Sequence, residues 1–514
     1  MAKAIMLQGT SSHVGKSVLT AALCRILLQD GFSVVPFKSQ NMALNSFVTQ
    51  SGGEMGRAQV AQAEAAGLEP DVVMNPILLK PTGNARSQVV MLGKPIAVLS
   101  AKEYHEQFAP TALGVIADCI SQLHAQYDVM VIEGAGSPAE VNLKKTDIVN
   151  MRIAKMVPAP VLLIADIDRG GALASVVGTL ELLDPDERDC IKGIIINKFR
   201  GDLDLLRPGL EFLEQKTGKP VVGVIPYFQG FRIADEDSVA LDTRLQRGER
   251  EDLLEIAVLR TPKISNFTDF DALEDEQDVY LRYVNKGEKL GRPDLVILPG
   301  SKNTIEDLLY LREEGYDTEI MALLAAGVPV IGICGGYQML GREIRDPHHT
   351  ETELDMVCAL GILPVVTTFA QDKVTHQVEV QSHGLGLFGG SIKTEKLVGY
   401  EIHMGCTEFL EQVQHPFQII NRSGQAILCS DGVLSADGLV MGTYIHGIFD
   451  NNVFRRELLN QLRTRKGWAP LAVEQISPRQ RKDLSYNLLA DTVRNGLDMD
   501  RVYKIMGLVP SGRG

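Results

Sequence analysis

The feature that most constrains the fold is a series of short apolar runs with no alternating polar face, each ending in glycine or a polar turn: AIMLQG, SVVPFK, DVMVIEGAG, APVLLIADID, GIIINKF and PVVGVIP. Strands covered on both faces lose the alternating pattern, and helical patterns follow these runs. They therefore read as buried parallel strands joined by crossover helices. This predicts a doubly wound α/β domain over residues 1–240. After the polar stretch FRIADEDSVALDTRLQRGEREDLL the strand pattern restarts with EIAVLR, DLVILPGSKN and VPVIGICGG. A linker is expected at 241–252, a second α/β domain at 253–450, and a helical extension at 451–514. The extension contains FRRELLNQLRTRKGW and RKDLSYNLLADTVRN and is expected to pack on the second domain.

Two domains suit the length, because 514 residues exceed the size at which one hydrophobic core usually stops growing. The formal charge of −14 argues against the broad basic surface that supplies nucleic-acid affinity, so no nucleic-acid partner is expected. Seven cysteines with no CxxC pair resemble neither a disulfide framework nor a structural zinc site and suit a reducing cytosol. No apolar run reaches the roughly 20 residues that a spanning helix needs. A cytoplasmic protein with no membrane partner is expected.

The stretch MLQGTSSHVGKS places a glycine-rich turn between the strand AIMLQ and a helical pattern from Val18 to Leu28. Such a turn aims backbone amides and the helix N-terminus at an anion. Gly9, Thr10, Gly15, Lys16 and Ser17 are the expected phosphate-binding residues, with Lys16 neutralising β- and γ-phosphate charge and the Ser17 hydroxyl holding Mg²⁺. Gly9 and Gly15 enclose five residues, where the usual spacing has four. Glu133 closes the strand DVMVIE, where a carboxylate can reach Mg²⁺ beside bound phosphates; a solvated strand-end glutamate is the alternative. Lys38 closes the second strand and could stabilise a transferring phosphoryl group. Glu54 in GGEMGRAQ is a further candidate metal ligand, weighed evenly against a plain surface role. Asn197, in IIINKFRGD with Lys198, lies at a strand end where its amide could pair with adenine or could simply make a turn.

The second half carries the sharper signal. VPVIGICGGYQMLG is an apolar strand, a tight glycine turn holding Cys334, and a helix, the arrangement of a nucleophile elbow. The helix N-terminus favours a thiolate and offers the Gly335 amide to an oxyanion. Gly300, in the glycine turn of DLVILPGSKNT, is the second expected oxyanion donor. His446 in GTYIHGIFDN is the candidate general base for Cys334.

The loop GTSSHVGKS resembles the stretched loop of dethiobiotin synthetase relatives, P-loop proteins that mostly act on substrate carboxylates. GICGGYQMLG with TYIHG is similar to class I glutamine amidotransferases. These segments, taken with PFKSQNMALNS, GRAQVAQAEAAG, NPILLKP, DIDRGG, INKFRGD and GYEIHMG, resemble the cobyric acid synthase family over essentially the whole chain. The resemblance implies an N-terminal P-loop NTPase-like domain and a C-terminal flavodoxin-like amidotransferase domain. It also implies ATP as co-substrate, Mg²⁺ as cofactor, L-glutamine as amide donor and a corrinoid, adenosylcobyrinic acid a,c-diamide, as acceptor. A related a,c-diamide synthase, or a P-loop switch that works by dimerisation, would share parts of this pattern, but a switch has no use for Cys334. In most class I amidotransferases a glutamate two residues after the histidine orients it, whereas here that position holds Ile448. Glu401 in GYEIHMG is a candidate replacement, with a simple structural use of that motif as the alternative. Lys80, Arg86, Gln88 and Arg169 are candidates for a basic recess that receives a polyanionic substrate, with surface ion pairs as the alternative.

Overall fold

Residues 2–83, 86–227, 252–473 and 478–509 are described by a computed structural model, in which the chain forms two compact units. One takes Met1–Ala43, Glu54–Ala234 and Arg479–Gly514; the other takes Leu44–Gly53 and Asp235–Pro478. All of the linker expected at 241–252 except Asp252 lies outside the described residues.

The first unit is built on a six-stranded sheet whose order is Val221–Pro226, Ile191–Phe199, Val161–Asp166, Lys3–Gly9, Val129–Glu133 and Val34–Phe37. Every pair is parallel. These are the six apolar runs of the sequence, and Ile5, Val35, Val131, Leu163 and Ile196 on them are fully buried. Both sheet neighbours of Lys3–Gly9 come from much later in the chain. The strand order therefore reverses beside Gly9, which leaves a crevice at the carboxyl ends of the strands, where open α/β sheets bind ligands. A smaller sheet of Gln40–Met42, Ile77–Gly83, Arg86–Met91 and Lys94–Ser100 was not anticipated. Its last two strands form a hairpin in which Met91 faces Lys94.

The helices Pro478–Gly496 and Met499–Met506 correct one expectation. Leu489, Ala490, Val493, Val502 and Met506 join the core that contains Leu23, Ile26 and Val222, so these helices belong to the first unit. Arg25 pairs with Asp483 at 3.1 Å and Arg494 with Asp30 at 2.9 Å across that contact. Only the helix Asn452–Arg465 packs in the second unit, through Phe454, Leu458, Leu459 and Leu462. An apolar helical stripe shows that a helix is covered and carries no address for what covers it.

The second unit has a sheet ordered Val279–Val284, Leu254–Leu259, Leu295–Leu298, Val330–Ile333, Val440–Thr443 and Val433–Leu434. It is parallel apart from its final edge pair. A second, largely antiparallel sheet is organised by a long ribbon of Val365–Leu385 against Ile392–Phe409, and Ile445–His446 joins its edge by pairing with Tyr400 and Glu401. The buried Arg455 anchors the helix Asn452–Arg465 by bonding Glu276 at 2.7 Å. The segment Leu44–Gly53 belongs to this unit, and Thr375 Oγ1 donates to Gly52 O at 2.7 Å.

Candidate active sites

In the first unit, the loop after Lys3–Gly9 curls into the helix Lys16–Gln29. Gly15 adopts φ 98°, and a methyl group there would lie 2.3 Å from Asn197 Nδ2, so the position admits only glycine. Lys16 Nζ donates to the carbonyls of Ser11 and Gly136, each at 3.0 Å, which places the ammonium inside the curl. The Thr10 amide donates to Ile164 O at 2.9 Å and ties the start of the loop to the sheet. A methyl group at Gly9 would lie 2.6 Å from Val14 Cγ2. Within the loop His13 has φ 60°, and its carbonyl accepts from Lys198 Nζ at 2.7 Å. Lys198 also bonds Asp166 at 2.7 Å. Asn197, a candidate for pairing with adenine or for a simple turn, donates its amide to Val14 O at 2.7 Å, so both strand-end residues brace the loop.

Glu133 gathers the loop's chemistry. Its Oε1 accepts from Ser17 Oγ and from Lys38 Nζ, each at 2.9 Å, while Gln62 Nε2 donates to Oε2. Glu133 and Lys38 are both buried. Ser17 and Lys38 thus meet on one carboxylate oxygen of Glu133, close to the loop that holds Lys16. Parallel register sets this up, because Leu7 lies opposite Glu133 and the two strand ends come side by side. Glu54 is buried and forms an ion pair with Lys80. Lys80, a candidate for the basic recess, is buried in that pair. Arg86 is exposed and donates to Val98 O at 2.7 Å, Arg169 is exposed, and the buried Gln88 Oε1 has no hydrogen-bond partner.

In the second unit, Cys334 sits between the strand Val330–Ile333 and the helix Gly335–Leu340 with φ 52° and ψ −108°. Non-glycine residues rarely hold such a conformation, and strained turns of this kind present a nucleophile at a strand end. Neighbours fix it. The Cys334 amide donates to Thr443 O at 2.8 Å on the adjacent strand, and a methyl group at Gly336 would lie 2.0 Å from Leu298 O, so the helix can begin only this close to the sheet. The Cys334 thiol donates to Ile402 O at 3.5 Å. Gly335 opens the helix, where an amide has no intrahelical acceptor. Gly300, on a two-residue bridge to Ile264–Ser265, lies beside the site: a methyl group there would be 3.2 Å from His446 Cε1.

His446 is buried, and Asp269 completes the site. Its Nδ1 bonds Asp269 Oδ2 at 2.6 Å, and Asp269 Oδ1 accepts from the Gly447 amide at 3.1 Å, so both carboxylate oxygens are used and the imidazole plane is set. Burial opposes the charged ring, but the charge and hydrogen bond of Asp269, with contributions from Cys334, outweigh it and raise the pKa to about 10. Nε2 is the nitrogen left for the Cys334 sulfur. Tyr400 stacks on the ring with centroids 5.1 Å apart and planes at 15°.

Asp269 corrects the expectation for Glu401. Glu401 Oε2 accepts from Arg422 Nε at 2.9 Å, and its nearest approach to a histidine is His403, at 3.9 Å. With the orienting carboxylate supplied from the turn Phe267–Phe270, the position two residues after His446 is free to hold Ile448, which is buried in the core. GYEIHMG thus serves the site through Tyr400 and the Ile402 carbonyl. The sequence signal for Asp269 was weak: an aspartate in SNFTDFD, shortly after a strand and far from both catalytic candidates.

The chain matches two family models, a CobQ/CobB/MinD/ParA nucleotide-binding domain over residues 5–240 and a CobB/CobQ-like glutamine amidotransferase domain over residues 255–454. It is 55% identical to a cobyric acid synthase of Pelotomaculum thermopropionicum over 99% of this chain and 97% of that protein. It is also 55% identical to one of Moorella thermoacetica, over 99% and 98%, and 52% identical to one of Desulforamulus reducens, over 99% of each. The chain belongs to the cobyric acid synthase family.

Proposed function

We propose that the protein converts adenosylcobyrinic acid a,c-diamide to adenosylcobyric acid, amidating the b, d, e and g side-chain carboxylates with nitrogen from glutamine at the expense of ATP. The observation that carries this is the Cys334–His446–Asp269 constellation on the same chain as a phosphate loop whose Ser17 and Lys38 meet on Glu133.

At the amidase site the Cys334 thiol passes its proton to His446 Nε2 and its sulfur attacks the glutamine carboxamide carbon. The Gly335 amide, with Gly300 beside the site, holds the oxyanion. His446 delivers its proton to the departing nitrogen, releasing ammonia and leaving a thioester that water hydrolyses to glutamate. Asp269 keeps the imidazole aimed throughout.

At the synthetase site a substrate carboxylate oxygen attacks the γ-phosphorus of ATP, forming an acyl phosphate and ADP. Ammonia attacks the acyl carbon and inorganic phosphate leaves. The carboxylate is inert to ammonia without this leaving group. Lys16 and Lys38 offset the charge of ATP meeting an anion. Ser17 and Glu133, with Oγ and Oε1 2.9 Å apart, are the donors that would hold Mg²⁺, which supplies charge neutralisation when bound. Glu54, neutralised by Lys80, supports the fold around this group. Exposed Arg86 and Arg169 are the cations available to corrinoid carboxylates. Free ammonia is mostly protonated at neutral pH, so direct transfer between the sites protects the nucleophile.

The test is Cys334→Ala. Glutamine-dependent product should fall to background while added ammonium salts still support ATP-dependent amidation; continued glutamine-dependent synthesis by the variant would refute the assignment.

A further inference from the structure

We infer that Asn45 and Ser46, in a segment that the N-terminal part of the sequence supplies to the amidotransferase unit, are positioning residues for the Asp269–His446 pair. The segment Leu44–Gly53 leaves the first unit just after the strand Gln40–Met42 and returns to it at Glu54. Within the second unit it makes a reciprocal clasp. Asn45 Oδ1 accepts from the Phe267 amide at 3.1 Å, and Asn266 Oδ1 accepts from the Ser46 amide at 3.1 Å. Asn45, Ser46 and Asn266 are all buried, so the clasp is sheltered from water that could replace it.

The clasp grips the turn that matters. Asn266, at φ 53°, precedes the turn Phe267–Phe270, and that turn carries Asp269. The same segment also reaches the other partner of the pair: Tyr400 donates its hydroxyl to Ser46 O at 3.4 Å, packs against Phe47 with ring centroids 5.5 Å apart, and stacks on His446. Asp269 is thus held through Asn266–Phe267, and His446 through Tyr400, by one short stretch of chain. A segment with only a packing role would have no need of an asparagine and a backbone amide that trade hydrogen bonds with Asn266 and Phe267, at the head of the turn that carries the catalytic carboxylate. An ångström of misplacement in such a constellation can cost about 100-fold in rate.

This inference rests on Cys334 being the glutaminase nucleophile, and the experiment separates the two. Full-length Asn45→Ala and Asn266→Gly are assayed for glutaminase kcat and KM and, in parallel, for ammonia-dependent amidation. Asn266→Gly removes the acceptor for the Ser46 amide while glycine keeps the positive φ without strain, so it tests the clasp even where Asn45→Ala folds poorly. The expected result is a fall in glutaminase kcat of about 10- to 100-fold, little change in KM, and ammonia-dependent synthesis retained. Glutaminase kcat at the parent level in Asn266→Gly would overturn the inference, as would a proportionate fall in both activities. Glutaminase activity surviving in a parallel Cys334→Ala sample would instead overturn the assignment of the nucleophile.

Discussion

At the residue scale, the sharpest consequence concerns Asp269. Asp269→Asn keeps the side chain's shape but removes its charge and one of its two acceptors, and glutamine-dependent turnover should fall by about 10²–10⁴-fold, the usual worth of a positioned acid–base group. The pH profile should move with it. His446 has a folded pKa of about 10, above its ordinary 6.5, so the stabilisation from its pairing is whole below pH 6.5 and is lost as pH rises through 10. The parent enzyme should therefore lose glutaminase activity near pH 10, and Asp269→Asn should lose it at lower pH; an unmoved alkaline limb would show that Asp269 does not hold the proton. In the other unit, Glu133→Gln keeps an acceptor for Ser17 and Lys38 but removes the carboxylate charge proposed to hold Mg²⁺. It should abolish ATP-dependent amidation from either glutamine or ammonia, and full synthesis by this variant would contradict the role of Glu133. The turns that hold Cys334 and Lys16 were legible in the sequence because their constraints are local, glycines between a strand and a helix. Asp269 was not, because its tie to His446 is made by the fold.

At the element scale, the parallel strands of both units were legible because burial on two faces leaves unbroken apolar runs. The small sheet of Gln40–Met42 and Ile77–Ser100, and the long ribbon of Val365–Leu385 with Ile392–Phe409, were not, since such pairings depend on partners that no single segment names. The helix Pro478–Gly496 was recognised as a helix and assigned to the wrong unit for the same reason. Its placement makes a prediction: Leu489→Ala removes a fully buried side chain from the first unit's core and should cost about 2–5 kcal/mol there. Urea unfolding followed by pulse proteolysis, with cleavage mapped along the chain, should show the first unit opening earlier while the second keeps its midpoint. An unchanged first-unit midpoint would contradict the packing.

At the scale of the whole molecule, one acidic chain carries an ammonia-producing site and a carboxylate-activating site, and each is intelligible only with the other. A phosphate loop alone suits a switch, and a cysteine amidase alone wastes glutamine. Among the described residues no helix is long and apolar enough to cross a membrane. The measurement that decides most directly is mass spectrometry of adenosylcobyrinic acid a,c-diamide after incubation with the protein, ATP, Mg²⁺ and glutamine. Successive losses of nearly one mass unit, one for each of the b, d, e and g carboxylates converted to amides, are the predicted result; hydrolysis of ATP and glutamine with the corrinoid mass unchanged would contradict it.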